Sequence, residues 1–284
     1  GGCTIDGRAL VATASDDGAT LWQISDDNAM HDEFRRDFRT DAITAGSLSR
    51  DGKVLALTGS GGLISVWNAS TGQRLNSWFY EHNVRCAALD VHGQLLFTAA
   101  TKPDRMTALT VWSVPEGSRL RESKIPTVVN ALSFAPESQE VCLAVSDYSS
   151  GFARWKFDEE RFPQPLAHAN IGRCAAYRQD GKLFATGGKD QTVRIWDAQT
   201  LEPALPPLSH RDSVEGAAFS PDGELLATCT EGGLVHVWEV ATGLALTPPL
   251  DLGGDVRRVW FDAHGRQLYS ADLMGRVRRW NLST

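Results

Sequence analysis

Short apolar runs that alternate with polar residues at period two divide this chain into strand-sized pieces, separated by turn residues. Residues 213–240 show the pattern most fully. Val214 to Ser220 reads as one strand, Pro221-Asp222-Gly223 as a turn, and Glu224 to Thr230 as a second strand built on Leu225-Leu226-Ala227. Glu231-Gly232-Gly233 turns again, and Leu234-Val235-His236-Val237-Trp238 alternates as a half-buried third strand. A less regular fourth strand follows the turn at Thr242-Gly243. Proline fixes φ in such turns and glycine supplies a positive φ without steric cost. No segment carries helical apolar spacing over about eleven residues, which argues against a parallel α/β fold.

The same unit recurs along the whole chain. Trp22, Trp67, Trp112, Trp155, Trp196, Trp238 and Trp280 follow one another at steps of 41–45 residues. Asp6-Gly7, Asp51-Gly52, His92-Gly93, Glu137-Ser138, Asp180-Gly181, Asp222-Gly223 and His264-Gly265 occupy the turn after each first strand. A period of about 40–45 residues is that of a four-stranded blade repeated around an axis. The expectation is an all-β, seven-bladed β-propeller of four-stranded antiparallel blades, with incomplete first and last blades and residues 1–284 forming one domain. One tryptophan per blade fills the space between sheets. Trp260 is expected in the core of the last blade, and Trp78 half exposed in a fourth strand.

The chain resembles the WD40-repeat family over its full length. Val193-Arg194-Ile195-Trp196-Asp197 carries the complete Trp-Asp ending, while the other six anchors are followed by Gln, Asn, Ser, Lys, Glu and Asn. The resemblance implies a buried tetrad of His168, Thr186, Asp190 and Trp196 in one blade. The blade of Trp238 keeps His210 and Thr228 but has Gly232 in the aspartate place, and the last blade has Met274 there. A missing member weakens such a network. Pro206-Pro207-Leu208 and Pro248-Pro249-Leu250 resemble runs in bacterial WD40 proteins, where the propeller is commonly one module beside a kinase, nucleotidase or protease-like domain. Gly1-Gly2-Cys3-Thr4 matches only the end of a first strand, and Thr284 comes before any last fourth strand. The expectation is therefore a domain from a longer protein, monomeric, with open blade edges available for pairing.

Composition narrows the function. The net charge of −7 argues against a generic nucleic-acid binder, and no run approaches the apolar length of a membrane span. Acidic residues gather early (Asp16, Asp17, Asp26, Asp27, Asp32, Glu33) and basic ones late (Arg257, Arg258, Arg266, Arg276, Arg278, Arg279), an asymmetry that closure of a ring would bring face to face. Cys3, Cys86, Cys142, Cys174 and Cys229 sit in apolar strand contexts without Cys-x-x-Cys spacing. They read as buried thiols of a reducing compartment, most simply the cytoplasm, rather than as disulfides or metal ligands.

Catalytic chemistry finds little support. His168 and His210 each precede their tryptophan by 28 residues and are one structural position, with His82 in the equivalent loop; His92 and His264 replace aspartate in first turns, His236 lies in an anchor strand, and His31 in an outer strand. No nucleophile elbow, phosphate loop, zinc-protease motif or dinucleotide fingerprint occurs, so neither catalytic residue, metal nor cofactor is expected.

Binding is the better reading. In this family the loops entering the innermost strands, and those between second and third strands, share one face around the axial channel. The channel position reads Thr44, Arg85, Asn130, Arg173, Glu215 and Arg257. Arginine's planar fork suits carboxylates, and the competing reading pairs these arginines with nearby acids such as Asp212 and Asp255. The third blade adds four residues around Thr101 to Thr107, where Lys102, Arg105 and Met106 offer charge and an adaptable apolar tip. The expected function is a non-catalytic scaffold that binds a protein or peptide partner, acidic in character, on this face. A regulatory sensor packed on a fused effector domain is the alternative, and a propeller hydrolase or lyase stands behind both.

Overall fold

The computed structural model describes residues 2–5, 8–15, 18–24, 36–38, 43–49, 51–102, 104, 106–136, 140–146, 151–156, 164–168, 170–262 and 264–282. Outside them lie Asp6-Gly7, the early acidic positions Asp16, Asp17, Asp26, Asp27, Asp32 and Glu33, His31, Arg105 and the Glu137-Ser138 turn. The chain divides into two compact units, Gly1–Leu132 and Ser133–Thr284.

Every described element is a strand. The first unit carries β1 (Gly2–Ile5), β2 (Arg8–Ser15), β3 (Gly18–Ile24) and β4 (Arg36–Phe38) in a first sheet, and β5 (Ile43–Leu48), β6 (Val54–Gly59), β7 (Leu63–Asn68) and β8 (Arg74–Phe79) in a second. Its third sheet holds β9 (Val84–Leu89), β10 (Leu95–Thr101), β11 (Thr107–Ser113) and β12 (Ser118–Ile125). The unit boundary falls within β13 (Val129–Phe134), which opens a fourth sheet completed by β14 (Glu140–Val145), β15 (Gly151–Lys156) and β16 (Gln164–Ala167). The second unit continues with β17 (Gly172–Tyr177), β18 (Leu183–Gly188), β19 (Thr192–Asp197) and β20 (Leu208–Ser209) as a fifth sheet, and β21 (Val214–Phe219), β22 (Leu225–Thr230), β23 (Leu234–Glu239) and β24 (Leu250–Asp251) as a sixth. β25 (Val256–Phe261), β26 (Gln267–Asp272) and β27 (Val277–Asn281) form a three-stranded seventh sheet. Strands follow chain order in each sheet, and each anchor tryptophan lies on the third strand of its sheet.

Burial follows from the position of each strand. β6, β14, β18 and β22 are buried at every residue after the first. A strand covered on both faces needs an unbroken apolar run, which Leu55-Ala56-Leu57 and Leu226-Ala227 supply. In the second unit β17 lies against β21 and β21 against β25, so the first strands of successive sheets pack together. Trp155 and Trp196 are buried to within 2% of their surface, and Trp260 is buried and stacked on Tyr269 at 5.6 Å. Trp78 is half-buried against Trp112, 5.8 Å between ring centres.

The turns are held by side chains that copy backbone partners. Asp222 Oδ1 accepts from Glu224 N at 3.0 Å, Ser220 Oγ accepts from Leu225 N at 2.9 Å, and Gly223 takes φ 75°. Ser49, Asp51 and Gly52 repeat the arrangement one unit earlier, with Lys53 N on Asp51 Oδ1 at 3.1 Å and Val54 N on Ser49 Oγ at 2.9 Å. Aspartate two residues after serine supplies the acceptor, and glycine takes the left-handed step.

Candidate functional site

The second residue of a first strand is set apart by the ladder itself. Pairing runs Ile43↔Gly59 then Ala45↔Thr58, and Ala100↔Val84 then Ala99↔Cys86. It runs Gly172↔Gly188 then Cys174↔Gly187, Val214↔Thr230 then Gly216↔Cys229, and Val256↔Asp272 then Arg258↔Ala271. Thr44, Arg85, Arg173, Glu215 and Arg257 are therefore the unpaired residues of five equivalent β-bulges. A bulge re-aims a side chain and bends its strand. It recurs at the positions expected from the sequence to face a binding surface.

In the second unit three of these side chains meet. Glu215 is 6% exposed and lies between two guanidinium groups: Arg257 Nη1 donates to its Oε2 at 2.5 Å, and Arg173 Nε is 3.5 Å from its Oε1. Ser213 Oγ donates to Oε1 at 2.8 Å, and Arg257 Nη2 approaches Asp255 at 3.8 Å. One buried carboxylate thus fixes two arginines that stay about 30% exposed. The two guanidiniums are met by two carboxylates, the buried Glu215 and the exposed Asp255. The competing expectation pairs these arginines with acids such as Asp212 and Asp255, and Asp255 does approach Arg257. Asp212 instead lies against Gly232, and Glu215 is the main counter-ion.

A polar groove of about 540 Å³ opens in the same unit, lined by Asn170, Lys189, Gln191, Asp212, Ser213, Glu231, Gly232 and Asp255. Asn170 (φ 84°) and Gln191 (φ 63°) hold left-handed backbone on its wall, and Asn170 Oδ1 accepts from Ile171 N at 2.8 Å. Gly232 matters by having no side chain: a Cβ there would collide with the Asp212 carboxylate. The aspartate absent from the tetrad of this blade thus leaves room for the Asp212 carboxylate. Periodicity could not reveal the groove, although it did show the exchange of Asp190 for Gly232 at equivalent places.

The first unit gives the other predicted residues. Arg85 is exposed at the bulge of β9, and Asn130 is half-buried on β13. Lys102 follows β10. Its side chain is only 13% exposed and turns inward, with Nζ 3.3 Å from Glu122 Oε1. Glu122 also accepts from Arg119 Nη1 at 2.8 Å and from the Tyr80 hydroxyl at 3.2 Å. Burial works to raise the Glu122 pKa, but Lys102, Tyr80 and Arg119 outweigh it and hold the carboxylate below its ordinary range. Burial pushes the Tyr80 phenol up to about 12. Lys102 is paired with a half-buried carboxylate. Met106 is half-buried, and Arg105 lies outside the described residues.

The tetrad residues form two contacts. Trp196 Nε1 donates to Thr186 Oγ1 at 2.7 Å, and His168 Nδ1 lies 2.7 Å from Asp190 Oδ2. Burial works to raise the Asp190 pKa, but His168 and Thr192 prevail and hold it below its ordinary value. His168 Nε2 has no hydrogen-bond partner among the described residues, so the two contacts are not joined through Thr186. The link from tryptophan to hydroxyl is more general than the tetrad. Trp238 donates to Thr228 and Trp280 to Ser270, each at 2.9 Å and ten residues apart, and Trp112 donates to Thr98 across fourteen because of the four-residue insertion. In the second sheet the equivalent place is Leu57, and Trp67 turns to Ser65 on its own strand at 3.0 Å.

The described thiols of Cys86, Cys142, Cys174 and Cys229 are buried and outside any disulfide. Burial pushes Cys174 up to about 12 and Cys142 and Cys229 well above the usual thiol range. Cys86 and Cys174 point at the carbonyls that open the next first strand, Val129 and Val214, at 3.5 and 3.9 Å. Among the described residues no group of three or more His, Cys, Asp or Glu is arranged to hold a metal, and no helix is long and apolar enough to cross a membrane.

Comparison with known proteins converges on one family. The family described as WD domain, G-beta repeat matches residues 164–197 and 205–239. Protein ROOT INITIATION DEFECTIVE 3 of Arabidopsis thaliana is 24% identical over 69% of this chain and 47% of its own length. The WD repeat-containing protein WDS homolog of the same plant is 24% identical over 67% of this chain and 36% of its own. The chain thus spans less than half the length of these relatives. A chain in the crystal structure of the mitotic checkpoint complex superposes with a TM-score of 0.72 at 22% identity, over 85% of this chain and 74% of that one, and shows the same fold. With tryptophan-anchored sheets in chain order and repeats of this family at residues 164–197 and 205–239, the chain carries WD40 repeats and is similar to WD40-repeat β-propellers in fold.

Proposed function

We propose that this chain is a non-catalytic protein-interaction module that takes a carboxylate-bearing protein or peptide segment at Arg173 and Arg257. One observation carries the reading: two partly exposed guanidiniums converge on the buried Glu215, Arg257 through a hydrogen bond and Arg173 through a looser ion pair, on bulges that free them from the strand ladder. A preorganised guanidinium loses little side-chain freedom on meeting a carboxylate. The adjoining groove offers the amides of Asn170 and Gln191 to a peptide main chain. Arg85, exposed at the equivalent bulge of β9, is assigned the same role in its own unit. The buried thiols, outside any disulfide, support a reducing compartment, most simply the cytoplasm.

The test compares wild type with a variant carrying Arg85→Glu, Arg173→Gln and Arg257→Gln. Glutamine keeps most of the bulk and adds no carboxylate beside Glu215. Partners recovered from native lysate are identified by mass spectrometry, and the variant's fold is checked by circular dichroism. Loss of a specific partner from a folded variant supports the reading; equal capture by both overturns it.

A further inference from the structure

The sixth sheet faces two buried histidines where the fifth faces a histidine and an aspartate. His210 follows β20 and His236 lies on β23; both are at least nine-tenths buried, their rings edge-on at 4.9 Å. His236 stacks on Trp238 at 5.6 Å. Hydrogen bonding fixes the state of His210. The Thr228 hydroxyl accepts from Trp238 Nε1 at 2.9 Å and lies 2.8 Å from His210 Nε2. Indole N–H can only donate and the Leu208 carbonyl can only accept, so in the neutral ring the hydroxyl proton goes to His210 Nε2. His210 Nδ1, 3.1 Å from the Leu208 carbonyl, must then carry the ring's proton. All these groups are satisfied together only by a neutral His210. A proton on Nε2 would aim two N–H donors at one hydroxyl and strand its hydrogen. His236 Nδ1 is buried without a partner, so a proton there would meet no acceptor either.

We propose that His210 and His236 form an acid-sensitive latch, whose protonation releases the loop from His210 to Glu215 and opens the sixth sheet while the fifth stays closed. The surrounding charges favour this response. Burial, then the neighbouring His236, holds the His210 imidazole down to about 4, and burial with Arg211 lowers His236. Asp212 is turned to Gly232, Glu231 and Lys189 line the groove, and Glu215 is engaged by Ser213 and Arg257. In the fifth sheet Asp190 sits 2.7 Å from His168, ready to offset a positive charge. Both latch histidines have lowered pKa values, so the open form binds more protons than the closed one. The latch therefore holds above the ordinary histidine value of 6.5 and weakens as pH falls toward 4. This inference goes beyond the partner reading and stands without it.

Hydrogen exchange on the intact chain at pH 7.5 and 5.0, corrected for intrinsic rates, tests it. Residues 210–216 and 225–239 should lose protection at least about ten-fold more than residues 183–197. His236→Phe keeps the stack on Trp238 without a titrating group and should shrink the difference; His210→Gln combined with it should remove the difference. Equal loss in both sheets overturns the latch, as does a doubly substituted chain whose sixth sheet still opens selectively in acid.

Discussion

The indole N–H of Trp238 donates to the hydroxyl of Thr228 across 2.9 Å, tying the third strand of the sixth sheet to its second. Thr228 is fully buried and also faces His210 Nε2, so one hydroxyl serves two rings. Thr228→Val keeps the shape and removes the hydroxyl. Two buried polar groups would then lack partners, at a cost of about 1–3 kcal/mol for each. Urea denaturation should show a clear fall in midpoint, with little change in slope.

Trp196 and Arg173 should separate core from surface. Trp196 is 1% exposed, and Trp196→Ala should cost roughly 3–5 kcal/mol through lost burial and an unfilled cavity. Arg173 is 31% exposed, and Arg173→Ala should cost about 1 kcal/mol or less. Thermal denaturation of both variants should rank them in that order; the reverse order would contradict the packing.

Glu215→Gln tests the counter-ion. It removes the charge between Arg173 and Arg257 and leaves two guanidiniums facing each other. Because both arginines are partly solvated, the expected loss is about 1–3 kcal/mol, below that of a fully buried pair. Partner capture should fall with it, since the guanidiniums would no longer be held in place. A Glu215→Gln chain as stable as wild type would show that the two arginines need no internal anion.

Asp190→Asn probes the fifth sheet through pH. The pKa of Asp190 is lowered by its contacts with His168 and Thr192, against burial, so its stabilising contribution is present above its ordinary value of 3.8 and is lost as pH falls below it. The variant should be less stable at pH 7 by about 1–3 kcal/mol and should lose less than wild type between pH 5 and pH 2. Parallel stability curves for the two chains would place the acid limb elsewhere.

Much of the local architecture was legible in advance. The tryptophan spacing located the third strand of every sheet, and Asp-Gly pairs located turns such as Ser220 to Leu225. These signals are local, since strand alternation and turn chemistry depend on neighbours a few residues apart. Even the hydroxyl partner of Trp112 could be counted, once the four inserted residues are included.

The candidate site was legible only in part. The sequence marked Arg173, Glu215 and Arg257 as equivalent positions, because a repeat makes equivalence visible. That Glu215 sits between the two arginines depends on strands about forty residues apart and on a bulge in each, which only strand pairing produces. Lys102 read as a free cation in an exposed insertion until Glu122, twenty residues away on an outer strand, turned it inward.

By itself the sequence determined the repeat, the strands and the turns, because period and propensity act within a few residues. Tertiary structure decided which charges are spent and which remain available, because a charge finds its partner through space. It also decided what stands beside Gly232, since the Asp212 carboxylate occupies the place where a side chain would begin.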